Sequence, residues 1–112
     1  MPNVYTYNGN SIFKNDFSFI SFYSEVKQIV DLENYIVVLV GYCSEVGERN
    51  VFCYNASGQL KWQIPNPVQL HEINYYTGIY IREQQLYAYS VSGVEYNLNE
   101  ETGEILKSEF IK

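Results

Sequence analysis

The chain has 112 residues, 46% of them apolar, with 12 tyrosines and 6 phenylalanines. That is enough for one domain with a modest core, and too apolar for a disordered chain. A formal charge of −6, from 13 acidic against 7 basic side chains, excludes nucleic acid and anionic membrane as direct partners, because binding phosphate needs clustered Lys and Arg.

Taken in chain order, the first strand is expected at residues 4–7, stopped by the turn signal Asn8-Gly9-Asn10. Ile12-Phe13 and the run 17–23 follow, separated by Lys14-Asn15-Asp16. Phe17, Phe19 and Ser21 fall on one face of that run and Ser18, Ile20 and Phe22 on the other, so cover on both sides is expected. Strands at 26–30 and 35–42 come next, the second holding Ile36-Val37-Val38-Leu39-Val40, the most hydrophobic run in the chain. Such a run predicts a central strand buried on both faces. Beyond the charged loop 44–50, strands are expected at 51–54 and 60–64, joined by a turn with Gly58 at its end. Pro65-Asn66-Pro67 ends that pair, since proline cannot donate to a central ladder. Residues 68–74 form the longest connection and the one place for a helical turn. Four further strands follow at 77–82, 85–91, 94–98 and 104–111, and the alternation Leu86-Tyr87-Ala88-Tyr89 gives one of them a wetter face.

No run approaches the roughly 18 consecutive apolar residues of a membrane span, and the N-terminal stretch lacks a signal-peptide pattern. A cytoplasmic protein is therefore expected. Cys43 and Cys53 flank a polar loop and could face each other across a hairpin, but a reducing cytosol favours free, half-buried thiols.

Two stretches read as copies of one unit: Val51-Phe52-Cys53-Tyr54-Asn55-Ala56-Ser57-Gly58-Gln59-Leu60-Lys61-Trp62 and Glu95-Tyr96-Asn97-Leu98-Asn99-Glu100-Glu101-Thr102-Gly103-Glu104-Ile105-Leu106. Each is a strand, a polar turn ending in Gly, and a second strand. Their spacing of roughly 45 residues is that of a four-stranded propeller blade. Closed propellers use about four to eight blades, and this length holds two and part of a third. The fold expected is all-β: one domain, 1–112, of antiparallel sheets forming an incomplete (half) β-propeller, with a partial blade at 1–24 and full blades at 25–65 and 76–112.

The stretch Tyr54–Trp62 resembles the repeat of quinoprotein-like propellers, in which Asp or Asn begins the turn, Gly closes it and Trp follows. Asn99-Glu100-Glu101-Thr102-Gly103-Glu104 looks like the Thr-Gly form of that turn, with no Trp after it. In size, acidity and blade count the chain also resembles half-propeller immunity proteins of contact-dependent growth inhibition systems. That resemblance implies a small cytoplasmic protein that binds and blocks a cognate toxin domain, often a nuclease.

Catalysis is not expected. His71 is the only histidine and no metal-ligand spacing accompanies it. Neither Cys43 nor Cys53 forms a recognisable nucleophile–base signature with His71. Glu100, Glu101 and Glu104 lie on a turn and its exit, where solvated carboxylates are commoner than a glycosidase pair. Gly-rich phosphate loops are absent, and a quinone cofactor would need a closed ring, so no cofactor and no metal are expected.

Binding remains. The loops 44–50 and 65–76, with 91–94, should emerge on one side of the blades, carrying Glu45, Glu48, His71, Glu72, Tyr75 and Tyr76. Carboxylates among aromatic rings suit a basic cleft that must be filled and then sealed from water. Asp31, Glu33, Glu83, Glu100 and Glu101 give the opposite side an acidic surface too. The expected partner is a basic toxin domain of the nuclease kind, held by a free monomer in a 1:1 complex, with the carboxylates occupying the toxin's phosphate site. Two other readings stand beside it: a homodimeric scaffold whose copies complete a ring edge to edge, and a tyrosine-lined small-molecule binder.

Overall fold

The computed structural model describes residues 3–67 and 73–111, among which there are eleven strands and no helix. The first sheet comprises β1 (Tyr5–Asn8), β2 (Ser11–Lys14) and β3 (Phe17–Ser21). The second comprises β4 (Val26–Asp31), β5 (Tyr35–Val40), β6 (Val51–Asn55) and β7 (Leu60–Gln63). The third comprises β8 (Tyr76–Arg82), β9 (Gln85–Ser90), β10 (Val94–Leu98) and β11 (Ile105–Phe110). All three are antiparallel meanders with strands in chain order. Tight turns make this possible: Asn15 and Asp16 sit at φ 51° and 71°, the left-handed pair that matches the twist of flanking hairpin strands.

The second sheet is the middle layer. In β5, Ile36 through Val40 are all at most 2% exposed, so the prediction of a strand covered on both faces holds. Val37 and Leu39, with Val51, Cys53, Trp62 and Ile64, pack against Tyr76, Ile79, Leu86, Ala88, Tyr96 and Leu98 of the third sheet. Ile36, Val38 and Val40 face the other way, onto Ile12 of the first sheet and a surround of Phe19, Phe22 and Phe52. Each aliphatic side chain so buried contributes about 1.5–3 kcal/mol.

Two expectations fail here. The strand at 17–23 is shorter and is not covered on both faces, since Phe17 is 77% exposed. Its sheet meets another sheet on one face only. Cys53 is wholly rather than half buried; it faces Val37 and Trp62, while Cys43 lies beyond the end of β5, so the two are not cross-strand partners. Most of the connection read as a possible helical turn, residues 68–72, lies outside the described residues.

The duplicated turns lock the layers together. Asn55 Oδ1 accepts the N–H groups of Ser57 (3.1 Å) and Gln59 (3.0 Å), and Asn99 Oδ1 accepts those of Glu101 (2.8 Å) and Thr102 (3.2 Å). Each closes on a glycine in the left-handed region, Gly58 at φ 89° and Gly103 at φ 77°. The preceding sheet lays a ring on each. A Cβ built on Gly103 would stand 2.5 Å from the Trp62 ring, and one on Gly58 would stand 3.3 Å from Phe19. Trp62 Nε1–H also donates to the carbonyl of Glu100 at 2.8 Å, and Lys14 Nζ donates to that of Ala56, the equivalent position one sheet earlier. Along their first strands the sheets adjoin, β1 beside β4 and β4 beside β8.

Candidate partner-binding surface

Two grooves open at the end where β5 leaves the second sheet. The larger, about 630 Å³, lies between the second and third sheets and is lined by Glu25, Lys27, Tyr42, Tyr75 and Thr77. Tyr42 and Tyr75 stack at its mouth, ring centroids 4.8 Å apart and 17° from parallel. The smaller, about 350 Å³, lies between the first and second sheets, with Phe22, Tyr23, Glu45, Phe52 and Tyr54 in its walls. Residues 22–25, the link from β3 to β4, form the ridge between them: Phe22 and Tyr23 face one groove, Ser24 and Glu25 the other.

The backbone beneath the larger groove is held by a buried asparagine. Asn50 Nδ2–H donates to the carbonyls of Val40 and Tyr76, each at 2.8 Å, while its Oδ1 accepts the Tyr76 N–H at 3.0 Å. Ser24 Oγ–H donates to the Gly41 carbonyl at 2.5 Å, and the Gln28 side-chain carbonyl accepts the Ile79 N–H at 2.8 Å. The tyrosine pair therefore rests on a floor whose polar groups are already paired, and its rings are left for contact.

The sequence-predicted residues separate. Tyr75 lines the larger groove and Glu45 the smaller. Glu45's own N–H and the Ser44 hydroxyl hold its carboxyl below the usual range. Glu48 is half-buried, and its Oε2 accepts the Asn74 N–H at 3.0 Å, so it anchors the approach to β8. Tyr76 is 1% exposed, with its hydroxyl donating to the Pro65 carbonyl at 2.8 Å, so it belongs to the core and supports the surface from below. Burial, with Tyr96 beside it, pushes that hydroxyl well above the ordinary phenol range. His71 and Glu72 lie outside the described residues.

Sequence reasoning missed Tyr42, Tyr23 and Glu25. The rule that singled out 65–76, a link from the last strand of one sheet to the first of the next, applies equally to 22–25 and would have found two of them. Glu25 pairs with Lys27 at 2.9 Å, and that cation lowers its carboxyl.

At the opposite end two of the five acidic residues, Asp31 and Glu101, are held within the chain. Glu101 accepts from the Tyr35 hydroxyl at 3.1 Å and lies 3.6 Å from Lys61, whose Nζ sits over the Tyr35 ring. Asp31 Oδ1 accepts the Glu33 N–H at 2.9 Å. Burial pushes the Cys53 thiol up to about 12, which removes it from nucleophilic chemistry near neutrality. No cluster of three or more His, Cys, Asp or Glu able to hold a metal exists among the described residues.

The outer face of the third sheet carries a different arrangement. Glu95 is 5% exposed although no further sheet covers it. Arg82 grips it with two bonds of 2.8 and 3.0 Å, the Tyr80 hydroxyl donates to it, and Arg82 stacks 4.3 Å above Tyr87.

The model of the family described as a domain of unknown function, DUF7957, matches residues 1–110. The chain belongs to that family. Among curated proteins nothing matches it. Two solved structures of computationally designed proteins share its fold at 12% identity. Over the whole of this chain and 69% of the designed Ika4 protein the TM-score is 0.70. For the designed Ika8 protein it is 0.64, over 96% of this chain and 36% of that one. The chain thus spans about a third of one designed relative and about two thirds of the other. No helix among the described residues is long and apolar enough to cross a membrane.

Proposed function

We propose that this chain is a cytoplasmic immunity protein, built as an incomplete propeller, that binds and occludes a basic toxin domain of the nuclease kind. Three things support the propeller reading: the repeated turn, the ring laid by each sheet on the next sheet's glycine, and the adjoining first strands. One observation carries the functional reading: the stacked Tyr42–Tyr75 pair stands on a prepaired floor beside Glu25, on the end of the molecule that also presents Glu45. Parallel phenol rings offer a face to a guanidinium or ammonium group, and the neighbouring carboxylates complete its coordination as water leaves. The net charge of −6 steers a basic domain toward such a surface and raises the on-rate.

Co-expression with the product of the adjacent upstream gene tests this. The expected result is a stable complex that neutralises the partner's activity and whose association slows as salt rises. Converting Tyr42 and Tyr75 to Ala should weaken it by about 30-fold or more, the loss of a hot spot worth about 2 kcal/mol. If no basic product is encoded nearby and none is captured, the reading fails.

A further inference from the structure

The outer strand of the third sheet differs from the other two outer edges. β7 has four residues and turns Trp62 inward, and β3 has five, of which Phe19 and Ile20 are partly covered. β11 has six residues, of which five are exposed, including Leu106 at 60% and Phe110 at 62%. Glu109 faces Glu95 and Lys107 faces Asn97 across the ladder with β10, and the Ile111 N–H donates to the Gly93 carbonyl at 2.8 Å. Alternation along an antiparallel ladder then turns the backbone of Lys107 and Glu109 toward β10 and that of Ser108 toward the open edge. Among the described residues neither Lys107 nor Glu109 has an ion-pair partner, and Glu109 stands opposite a carboxylate already gripped by Arg82.

We propose that β11 pairs with β11 of a second copy of this chain, antiparallel, about a two-fold axis through Ser108. In that register Ser108 meets Ser108 of the second copy through both outward backbone groups. Lys107 stands opposite Glu109 of the second copy, and Glu109 opposite its Lys107. These are non-hydrogen-bonded positions, where facing side chains come closest. Leu106, the residue at the irregularity in the β10–β11 ladder, lies beside Phe110 of the second copy, so two exposed apolar pairs are covered at once. An axis through Lys107 or Glu109 would need backbone groups already turned toward β10 and would set like charges against each other. One through Leu106 or Phe110 leaves Lys107 and Glu109 without an opposite charge, so backbone direction and charge together select the register. About the Ser108 axis the seven residues 105–111 read the same against themselves, which identifies the occupant as a second copy rather than an unrelated strand. Two four-stranded sheets become one of eight strands, and the grooves beside residues 22–25 stay open. This replaces the free monomer expected from sequence, and it joins outer edges, which does not close a ring.

Sedimentation of the full chain tests it. The wild type should run at twice the 13.1 kDa of one chain. Lys107→Glu and Glu109→Lys should each run as single chains, with near-ultraviolet circular dichroism unchanged as the check on folding. An equimolar mixture of those two variants should regain the double mass, because each supplies the charge the other lacks; a misfolded variant could not do this. Ser108→Pro, which removes an outward donor and leaves the ladder to β10 intact, should also abolish pairing. A monomeric wild type, a dimer that survives both charge reversals, or a mixture that stays monomeric overturns the proposal.

Discussion

The two junctions between sheets perform one task with different chemistry. At the second–third junction a single residue does all of it: Trp62, 6% exposed, lies on Gly103 and donates its indole N–H to the Glu100 carbonyl. At the first–second junction the task is divided. Phe19, half-buried, lies on Gly58, and Lys14 donates to Ala56, with its ammonium group also 5.4 Å from the centre of the Phe19 ring. The receiving turns are nearly alike, an asparagine cap and a left-handed glycine, so what varies is how much ring each buries. The second–third junction is the tighter, and the first sheet should open at lower free energy than the rest.

Cutting each ring away should separate the two junctions most. Trp62→Ala removes a buried aromatic and a hydrogen bond together, and should lower the unfolding free energy by about 3–5 kcal/mol. Phe19→Ala, at a half-exposed site, should cost about 2 kcal/mol by the same reasoning. Urea titration followed by tyrosine fluorescence measures both. Equal losses would mean that the contrast in burial has no energetic counterpart.

The glycines sharpen the same contrast from the other side. Gly103→Ala puts a methyl 2.5 Å from the indole and asks an alanine to hold φ 77°, for about 3 kcal/mol of overpacking and backbone strain. Gly58→Ala meets the Phe19 ring edge at 3.3 Å, a contact a small ring shift relieves, so mostly the backbone cost of about 1–2 kcal/mol remains. Thermal denaturation of the pair should rank them in that order.

Part of this was legible in the sequence. The paired turns announce themselves because an Asx turn closed by glycine needs those residue types at fixed spacing, and the run Ile36–Val40 can be satisfied only by cover on both faces. Leu86 and Ala88 are buried while Tyr87 and Tyr89 are half-buried, as the alternation required. The missing tryptophan after the second turn was visible too: Lys107 faces Asn97 where Trp62 faces Cys53, so the third sheet carries no ring for a successor. Other features were out of reach. Phe19 and Lys14 share a role that one tryptophan marks elsewhere, and no pattern joins two residues on neighbouring strands. Glu95 is buried by Arg82, Tyr80 and Tyr87 rather than by a sheet, and periodicity reports only sheets. Tyr76 entered the expected surface because adjacent tyrosines on a connection look alike until one is the first residue of β8.

Acid should act on the far side of the third sheet rather than on either junction. Burial raises the Glu95 carboxyl, but the Arg82 fork and the Tyr80 hydroxyl outweigh it, and the net shift is downward. A carboxyl depressed in the folded state adds stability that is present above its unfolded value of about 4.3 and is lost as pH falls through the folded value. Glu25 and Glu45 are lowered as well, but they are exposed and contribute little. The outer face of the third sheet should therefore loosen below about pH 4, while the first–second junction, which holds no such carboxylate, changes less. Amide exchange across that range should show protection falling first in β8 and β10. Arg82→Met should bring the loss to higher pH, and if protection falls uniformly Glu95 is not its source.

The smallest effect isolates the half of the first–second junction that tryptophan would otherwise supply. Lys14→Met keeps the aliphatic stem and removes the donor to Ala56, which leaves a part-buried carbonyl without that partner, for about 1 kcal/mol. Because the same ammonium group lies beside the Phe19 ring, removing both residues should cost less than the sum of the single losses, since each loses part of its value when the other is gone. Trp62→Phe gives the matched measurement at the other junction, a donor lost from the same position of the turn with the ring kept. If Lys14→Met and Phe19→Ala are additive, the two residues act independently, and the first sheet is held by a ring and a hydrogen bond that do not reinforce each other.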